Sequence, residues 1–362
     1  MSQRLKTIQA LRGIAAMAVV LGHCNIYLSR NEEYKVLWGK LLGWGAIGVD
    51  LFFVISGFIM VYTTIHYSAG FSSFKKFIFN RAIRILPVYY IVLFVLFLCN
   101  GAMSTFHYED KTQDLVSAIT FLPYYASAAP HYIDMNHGLN VVRWTINYEI
   151  YFYIIFSICL ISKFRVTTLL IWCFSAVFII PMLCGNNITL NVSGYHTKIA
   201  LYGFLSNPII IEFLIGAMSG FIYFKLKRYN TENASCIIAI SLLIYIAYTL
   251  LTGLEHPMSI SIAAPIGLLI LFLSLAENKL QNFLSKSLLW LGDISFSLYL
   301  IHMPLIFSLF FHLGPAAKAP LLGIPYSILA IITSISVAYF FHKYIEVKLT
   351  NWLRNKISCM LV

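Results

Sequence analysis

Long apolar stretches dominate the chain, and short polar segments separate them. Most of the stretches approach the roughly 20 residues that a helix needs to cross a bilayer. None alternates apolar and polar residues over about ten positions, the pattern typical of an outer-membrane barrel strand. The pattern predicts an all-α, polytopic membrane protein with about ten transmembrane helices. The predicted spans are Ile8–Leu28, Ile47–Ile65, Ile85–Cys99, Trp144–Ser162, Val166–Cys184, Leu205–Phe224, Ala234–Leu251, Pro257–Ala276, Leu291–Phe311 and Leu321–Phe341.

The composition agrees with a membrane protein. Hydrophobic residues make up 60% of the chain and charged residues 11%, whereas a soluble domain carries about 25% charged residues. The mean hydropathy is +0.80. We expect residues 1–362 to form one integral-membrane domain without an appended soluble domain. The stretch Asp114–Ala126 is apolar but short, so we expect it at the membrane interface or as a re-entrant segment.

The basic residues predict the orientation of the chain. If the N-terminus is cytoplasmic, the inner segments hold 17 Lys and Arg residues and the outer segments 7. Inner loops carry the excess of positive charge, so both termini are predicted to be cytoplasmic. The same clusters account for the net charge of +11 without a nucleic-acid partner. The first span lacks a small-residue cleavage site and contains Arg12, so we expect it to be retained.

The cysteines and histidines do not indicate a metal site. The seven cysteines show no CxxC or zinc spacing, and the ten histidines show no HExxH spacing. We therefore expect no metal. Most cysteines lie inside apolar stretches as small packing residues. Cys99 and Cys184 lie near predicted outer ends of spans, where a disulfide between them is the less favoured alternative.

The first span carries the most informative pair of residues. Arg12 and His23 are eleven residues apart, which places them on one face of a helix, roughly 16 Å from each other. Titratable groups at such depths usually face a cavity or a partner. Taken alone, Arg12 snorkels to the interface and His23 is a packing residue. Together on one face, they indicate a functional site.

Two carboxylates interrupt otherwise apolar stretches. Asp50 lies in the second predicted span and Glu149 in the fourth, both in the predicted outer half. A carboxylate inside a membrane needs a cation, hydrogen bonds or a proton. Either carboxylate would fix the tautomer of His23 and stabilise its imidazolium, as a general base requires. For Asp50, an ion pair with Arg143 that ties helices together is an equal alternative.

Two further sets of polar residues lie at helical spacing. Arg81 and Arg84 share a face and would clamp a phosphate together, although the spacing alone favours ordinary anchoring by positive charge. In the ninth span Ser295, Tyr299 and His302 form one polar stripe, for which hydrogen bonding between helices is the simpler role.

Five segments resemble the integral-membrane acyltransferase-3 family, which includes exopolysaccharide and O-antigen acetylases. The Trp-Thr-x-Asn-Tyr-Glu segment makes the chain most similar to the exopolysaccharide branch. Each segment is weak alone, but the five occur in the order and spacing of the family. They are Leu5–His23, Gly48–Phe58, Asn80–Tyr90, Trp144–Tyr153 and Leu291–Pro304.

The resemblance implies an inner-membrane, multi-pass O-acyltransferase. Its donor would be cytoplasmic acetyl-CoA or another acyl-CoA. Its acceptor would be an exported carbohydrate such as exopolysaccharide, O-antigen or a lipid-linked saccharide. The protein itself would be surrounded by membrane lipids. The implied catalytic residues are His23, Glu149 and Asp50. The implied donor-binding residues are Arg12, Arg81 and Arg84. The implied substrate-binding residues are Tyr299, His302, Trp144 and Asn147.

The chain also departs from the family pattern. Many relatives carry an appended periplasmic hydrolase-like domain that these 362 residues lack, and no proline follows Glu346. His23 would act either as a general base or as a transient acyl carrier. The alternative function is a transporter or flippase of lipid-linked saccharides, which also lines its cavity with titratable residues. However, the sequence shows no internal repeat of the kind found in many transporters.

Overall fold

Helices form every regular element in the described part of the chain. A computed structural model describes residues 4–28, 35–136, 138–195, 197–229, 231–312 and 320–360. The helices are α1 (Lys6–Leu28), α2 (Lys35–Leu42), α3 (Ile47–Thr64), α4 (Phe71–Cys99), α5 (Glu109–Thr120), α6 (Arg143–Cys159), α7 (Arg165–Phe174), α8 (Ile180–Leu183), α9 (Ala200–Leu205), α10 (Ile210–Leu226), α11 (Glu232–Thr252), α12 (Ile260–Leu275), α13 (Glu277–Leu280), α14 (Lys286–His312), α15 (Pro320–Phe341) and α16 (Thr350–Met360). Short 3₁₀ turns precede α3 and α5, and π-helical turns link α7 to α8 and α15 to α16.

The predicted polytopic helical class is confirmed. Within the described ranges, 8 helical segments are long and apolar enough to cross a membrane. The predicted spans Trp144–Ser162 and Pro257–Ala276 correspond to shorter helices, α6 with 17 residues and α12 with 16. Each of the ten predicted spans contains helix.

The third predicted span begins too late. Helix α4 starts at Phe71, fourteen residues before the predicted start at Ile85. Two lysines and two arginines in this stretch lower its hydropathy, so an apolar pattern excludes it. Long cationic side chains nevertheless run along a helix surface with their charged ends displaced toward polar surroundings. The stretch predicted as interfacial or re-entrant also differs, because α5 covers Glu109–Thr120 and ends before Phe121.

The chain divides into two compact units, which are described separately. The first unit comprises Met1–His66 and Ile211–Ile335, and the second comprises Tyr67–Ile210 and Ser336–Val362. In the first unit, α1 packs against α3, α12 and α14. Its apolar core includes Ala15, Val54 and Ile266, all of which are buried. In the second unit, α4 packs against α6 and α16.

Two glycines bring α1 and α14 into backbone contact. A Cβ atom on Gly13 would lie 2.8 Å from the backbone nitrogen of Gly292, and one on Gly292 would collide with the Gln9 carbonyl oxygen. Small residues at such crossings let membrane helices approach closely. The Gln9 amide also donates to the Leu289 carbonyl oxygen at 2.7 Å. Contacts advance in the same direction along both helices, so α1 and α14 run parallel.

A distant carboxylate caps the start of α1. Glu277 accepts hydrogen bonds from the backbone N–H groups of Lys6 and Thr7 at 2.7 and 3.1 Å, and from the Thr7 hydroxyl at 2.5 Å. A negative charge there satisfies unpaired N–H groups and opposes the positive end of the helix dipole. The contact fixes the end of the helix that carries Arg12 and His23.

The second unit contains a buried ion pair. Arg143 is fully buried and lies 2.5 Å from Asp114. Asp114 also accepts from the Tyr124 hydroxyl at 3.0 Å and from the Leu139 N–H at 2.8 Å. Arg143 donates in addition to the Ser117 hydroxyl at 3.0 Å. The predicted pairing of Arg143 with Asp50 is therefore wrong, because Asp114 supplies the carboxylate.

The less favoured disulfide is also absent. Cys99 and Cys184 are both free and exposed. Cys24, Cys159 and Cys173 are free and buried, as expected of small packing residues.

Candidate functional site

In the first unit, His23 of α1 meets His302 of α14. The His23 Nδ1 and His302 Nε2 atoms lie 2.9 Å apart, a hydrogen-bond distance, and the ring centroids lie 5.0 Å apart. His302 Nδ1 lies 3.0 Å from the Leu298 carbonyl oxygen, one turn earlier. His302 is fully buried, whereas His23 remains partly exposed. Of the two rings, His23 is therefore the one with accessible surface.

Arg12 and Tyr299 accompany the histidine pair. Arg12 lies on α1 eleven residues before His23 and is half-buried, so the predicted shared face is present in a continuous helix. The Tyr299 ring packs 5.8 Å from the His302 ring and edge-on against Phe52 of α3, with centroids 5.3 Å apart. Ser295, the third residue of the predicted stripe, instead donates to the Gly292 carbonyl oxygen at 2.9 Å.

Asp50 has partners other than His23. Its two carboxyl oxygens accept from the Met258 N–H at 2.8 and 3.0 Å. Glu212 of α10 faces it, and both side chains are fully buried. No N–H or O–H donor from the described residues reaches the Glu212 oxygens. The two carboxyl groups can hydrogen-bond to each other only if they share a proton.

These contacts revise how His23 is oriented. The sequence offers Asp50 or Glu149 as the orienting carboxylate, but the hydrogen-bond partner on His23 Nδ1 is the His302 imidazole. His302 itself was expected to bind substrate. His302 is fully buried and contacts the partly exposed His23, and its predicted role in substrate binding stays a prediction.

In the second unit, an arginine cluster forms between α4 and α6. The Arg81 guanidinium lies over the rings of Phe77 and Tyr153, 5.3 and 5.4 Å from their centroids. The Tyr153 hydroxyl donates to Glu149. Glu149 attracts Arg81, and Arg84 follows one turn later on the same face. We call Arg81, Arg84, Glu149 and Tyr153 the arginine cluster.

The contacts in the arginine cluster show that the predicted difference in depth between the two arginines and Glu149 is wrong. Arg81 and Arg84 were placed at the cytoplasmic rim and Glu149 in the outer half of the membrane. Helices α4 and α6 are antiparallel, because the Gly70 N–H bonds the Leu160 carbonyl oxygen where α4 begins and α6 ends. Arg81 and Glu149 each lie ten residues from that end, and therefore at the same level. The depth error follows from the late start predicted for α4.

Trp144 and Asn147 lie near the start of α6. Trp144 is buried and packs edge-on against His131, with ring centroids 4.6 Å apart. Burial lowers the pKa of His131, which lies in the connection before α6, to about 4, although a backbone hydrogen bond to Ala128 opposes the shift. Asn147 is buried, and neither polar atom of its amide has a hydrogen-bond partner among the described residues. An unsatisfied buried amide costs about 1–3 kcal/mol, so a hydrogen-bond partner for the Asn147 amide would be stabilising.

The second unit also contains an apolar cavity of about 380 Å³. Tyr151, Trp172 and Ile180 are among the side chains that line it. Its walls suit a hydrocarbon chain better than a sugar, and none of the sequence-predicted site residues contributes to them.

The sequence predicts that the protein holds no metal, and this stays a prediction. Among the described residues, no group of three or more His, Cys, Asp and Glu side chains is arranged to hold a metal.

The sequence did not predict three side-chain contacts, those made by Glu212, Tyr153 and Glu277. Glu212 is the sole charged residue in the apolar stretch Ile209–Met218, and the rule that flagged Asp50 also applies to it. Tyr153 follows Glu149 by one turn, a spacing that signals contact. Glu277 gives no comparable signal, because its partner is the N-terminus of a helix about 270 residues away.

Comparisons with known proteins show the family of the chain. A family model described as "Acyltransferase domain" matches residues 5–343. The chain is 29% identical to "Exopolysaccharide production protein ExoZ" of Rhizobium meliloti (strain 1021), over 80% of this chain and 84% of that protein. It is 22% identical to a Staphylococcus aureus (strain COL) protein named "Putative O-acetyltransferase", over 83% of this chain and 50% of that protein. No solved structure matches the chain significantly.

Proposed function

Since the chain belongs to the acyltransferase-3 family, we propose that it transfers an acetyl group from acetyl-CoA to a hydroxyl group of an exported carbohydrate. The family match, which confirms the resemblance seen in the sequence, makes the chain a multi-pass membrane protein that transfers acyl groups. The observation that carries the finer proposal is the partly exposed His23, held against His302 on a helix that also carries Arg12.

The acceptor class rests on the relatives. One relative is named for exopolysaccharide production and another for O-acetyl transfer. A carbohydrate hydroxyl as acceptor and an acetyl group as cargo fit both names. Asn147, with its unsatisfied buried amide, is proposed to bind a hydroxyl or carbonyl group of a substrate, and Trp144 beside it to pack against a sugar ring.

His23 is the proposed chemical centre. As a general base, it takes the proton from the acceptor hydroxyl while the hydroxyl oxygen attacks the thioester carbonyl carbon. A C–O bond forms, the C–S bond breaks, and the proton passes to the departing coenzyme A thiolate, which leaves as the thiol. In the alternative path, His23 first attacks the thioester and carries the acetyl group to the hydroxyl. Both paths need an unprotonated imidazole nitrogen directed at the substrate.

The arginines are the proposed donor site. Guanidinium groups bind phosphate through paired, charge-assisted hydrogen bonds, and coenzyme A carries several phosphate oxygens. Arg81 and Arg84 would hold these phosphates. The excess of basic residues in the predicted inner loops supports cytoplasmic termini and a donor that binds from the cytoplasmic side. An inner-membrane location is part of the same proposal. Arg12 would assist, since it lies roughly 16 Å along α1 from His23.

Replacement of His23 tests the proposal. His23→Gln keeps the size and hydrogen-bonding capacity of the side chain but removes its basicity. We expect the acetyl content of the surface polysaccharide, measured by NMR of extracted glycans, to fall by about 10²-fold or more. Protein amount and thermal stability should stay near the parental values. The matched control is His107→Gln, which changes an exposed histidine outside the site.

Two outcomes would contradict the proposal. Retention of more than about a tenth of the parental acetylation would exclude His23 as base or carrier. If deletion of the protein stops export of the polysaccharide but leaves its acetylation unchanged, the protein is a transporter of saccharides instead.

A further inference from the structure

We propose that His302 is a positioning residue that fixes the tautomer of His23, with the proton on Nδ1 and the lone pair on Nε2. The geometry thereby assigns Nε2 of His23 as the reacting atom. The effect on rate rests on the proposed function, whereas the tautomer itself is a property of the resting protein.

The assignment starts at His302. Its Nδ1 atom lies 3.0 Å from the Leu298 carbonyl oxygen. A carbonyl oxygen only accepts hydrogen bonds, so His302 Nδ1 must carry a proton. In a neutral imidazole the other nitrogen, Nε2, then holds a lone pair and accepts.

The neutral form follows from the surroundings of His302. The side chain is fully buried, and its hydrogen-bond and ring contacts within the described residues are with His23, Leu298 and Tyr299, none of which carries a negative charge. A buried cation without a counter-ion costs several kcal/mol. His302 is therefore a neutral acceptor at Nε2.

The proton of His23 is thereby placed. Because His302 Nε2 accepts, the hydrogen bond of 2.9 Å must be donated by His23 Nδ1. With its proton on Nδ1, neutral His23 has its lone pair on Nε2. A base or acyl carrier needs such a nitrogen.

The helix pair holds this geometry. His23 lies ten residues after Gly13, and His302 lies ten residues after Gly292. The two glycines form the backbone crossing of parallel helices, so an equal advance of about 15 Å along each helix brings the histidines together. The second histidine takes the place that a carboxylate holds in a Ser-His-Asp triad, but it adds no charge to the apolar interior.

Solid-state NMR of protein labelled with ¹⁵N-histidine in lipid vesicles tests the tautomer directly. The difference between the parental and His23→Gln spectra identifies the His23 ring signals. We expect a protonated Nδ1 and an unprotonated Nε2 near neutral pH. If the parental protein instead carries the proton on Nε2 of His23, that result by itself overturns the proposal.

Two variants of His302 separate positioning from packing. His302→Gln retains a side-chain oxygen that accepts from His23 Nδ1, and should preserve the tautomer. His302→Phe fills similar space without an acceptor, so we expect a population with the proton on Nε2 to appear. Acetylation of the surface polysaccharide should fall about 10²-fold in His302→Phe and be at least partly restored in His302→Gln. His107→Phe serves as the control for an exposed histidine.

The outcomes distinguish this proposal from the proposed function. An unchanged His23 tautomer in folded His302→Phe overturns the positioning role, even if acetylation falls. Equal loss of acetylation in the Gln and Phe variants also overturns it, since rescue by an acceptor would be absent. If the tautomer responds as expected while His23→Gln retains full acetylation, the positioning role stands and the proposed catalytic role fails.

Discussion

In the first unit, His23 and Asp50 have hydrogen-bond partners that differ from those predicted from the sequence. The apolar stretches that carry them identify His23 and Asp50 as unusual, because a titratable side chain in a membrane helix needs a partner. A single sequence does not show which helix faces which. The predicted carboxylate partner of His23 is therefore replaced by His302, and the predicted arginine partner of Asp50 by the Met258 backbone and Glu212.

The pair of Asp50 and Glu212 yields a prediction about protonation. Glu212→Gln supplies an amide N–H to Asp50 in place of a shared proton, so we expect thermal stability in detergent close to that of the parent. Glu212→Leu removes the donor and leaves Asp50 with the Met258 N–H. A weakened buried acceptor costs about 1–3 kcal/mol, so we expect a clearly lower unfolding temperature.

Glu109→Gln and Glu109→Leu provide the matched controls, because Glu109 is exposed at the start of α5. The prediction fails if Glu212→Gln destabilises the protein as much as Glu212→Leu does. Two ionised carboxylates held apart by other groups would then replace the shared proton.

At the scale of elements, length and hydropathy predict the helices well and their ends poorly. Because basic residues lower the hydropathy of its first turns, α4 begins fourteen residues before its predicted start. The same error places Arg81 and Glu149 at different predicted depths in the membrane. The sequence does place Gly13 and Gly292 in motifs of the family. Their mutual contact depends on the pairing of helices about 280 residues apart, which hydropathy does not encode.

The crossing of α1 and α14 leads to a prediction for Gly292. The added methyl group in Gly292→Ala meets the Gln9 carbonyl oxygen, so the helices must separate. Overpacking of this kind typically costs about 1–3 kcal/mol. We expect a lower unfolding temperature and loss of the protonated Nδ1 signal of His23, because separation removes the His302 contact.

The same substitution at Gly39 is the control. Nothing lies within 4 Å of a Cβ atom placed there, and alanine in a helix is favoured over glycine by about 0.5–1 kcal/mol. If Gly292→Ala is as stable as Gly39→Ala and keeps the His23 signal, the glycine crossing does not set the spacing of the histidines.

At the scale of the whole molecule, the proposed functions fall into different units. The histidine pair belongs to the first unit, and the arginine cluster belongs to the second. The sequence predicts that the arginines bind the donor and that His23 is catalytic, but it groups Glu149 with His23. The structure places Glu149 with Arg81 and Tyr153. A carboxylate beside two arginines reduces their net charge and holds them in position before phosphate binds.

This division predicts that donor binding and chemistry respond to different substitutions. Arg81→Ala combined with Arg84→Ala removes two phosphate ligands, each contributing about 1.5–3 kcal/mol through a charged hydrogen bond. We expect the concentration of acetyl-CoA needed for half-maximal acetylation by isolated membranes to rise by about 100-fold or more. High acetyl-CoA should restore much of the rate in this variant but none in His23→Gln, since loss of a base lowers turnover at any donor concentration. The matched control is Lys75→Ala with Lys76→Ala, which removes the same charge from exposed positions of the same helix. An equal response of the lysine and arginine variants would reduce Arg81 and Arg84 to determinants of topology.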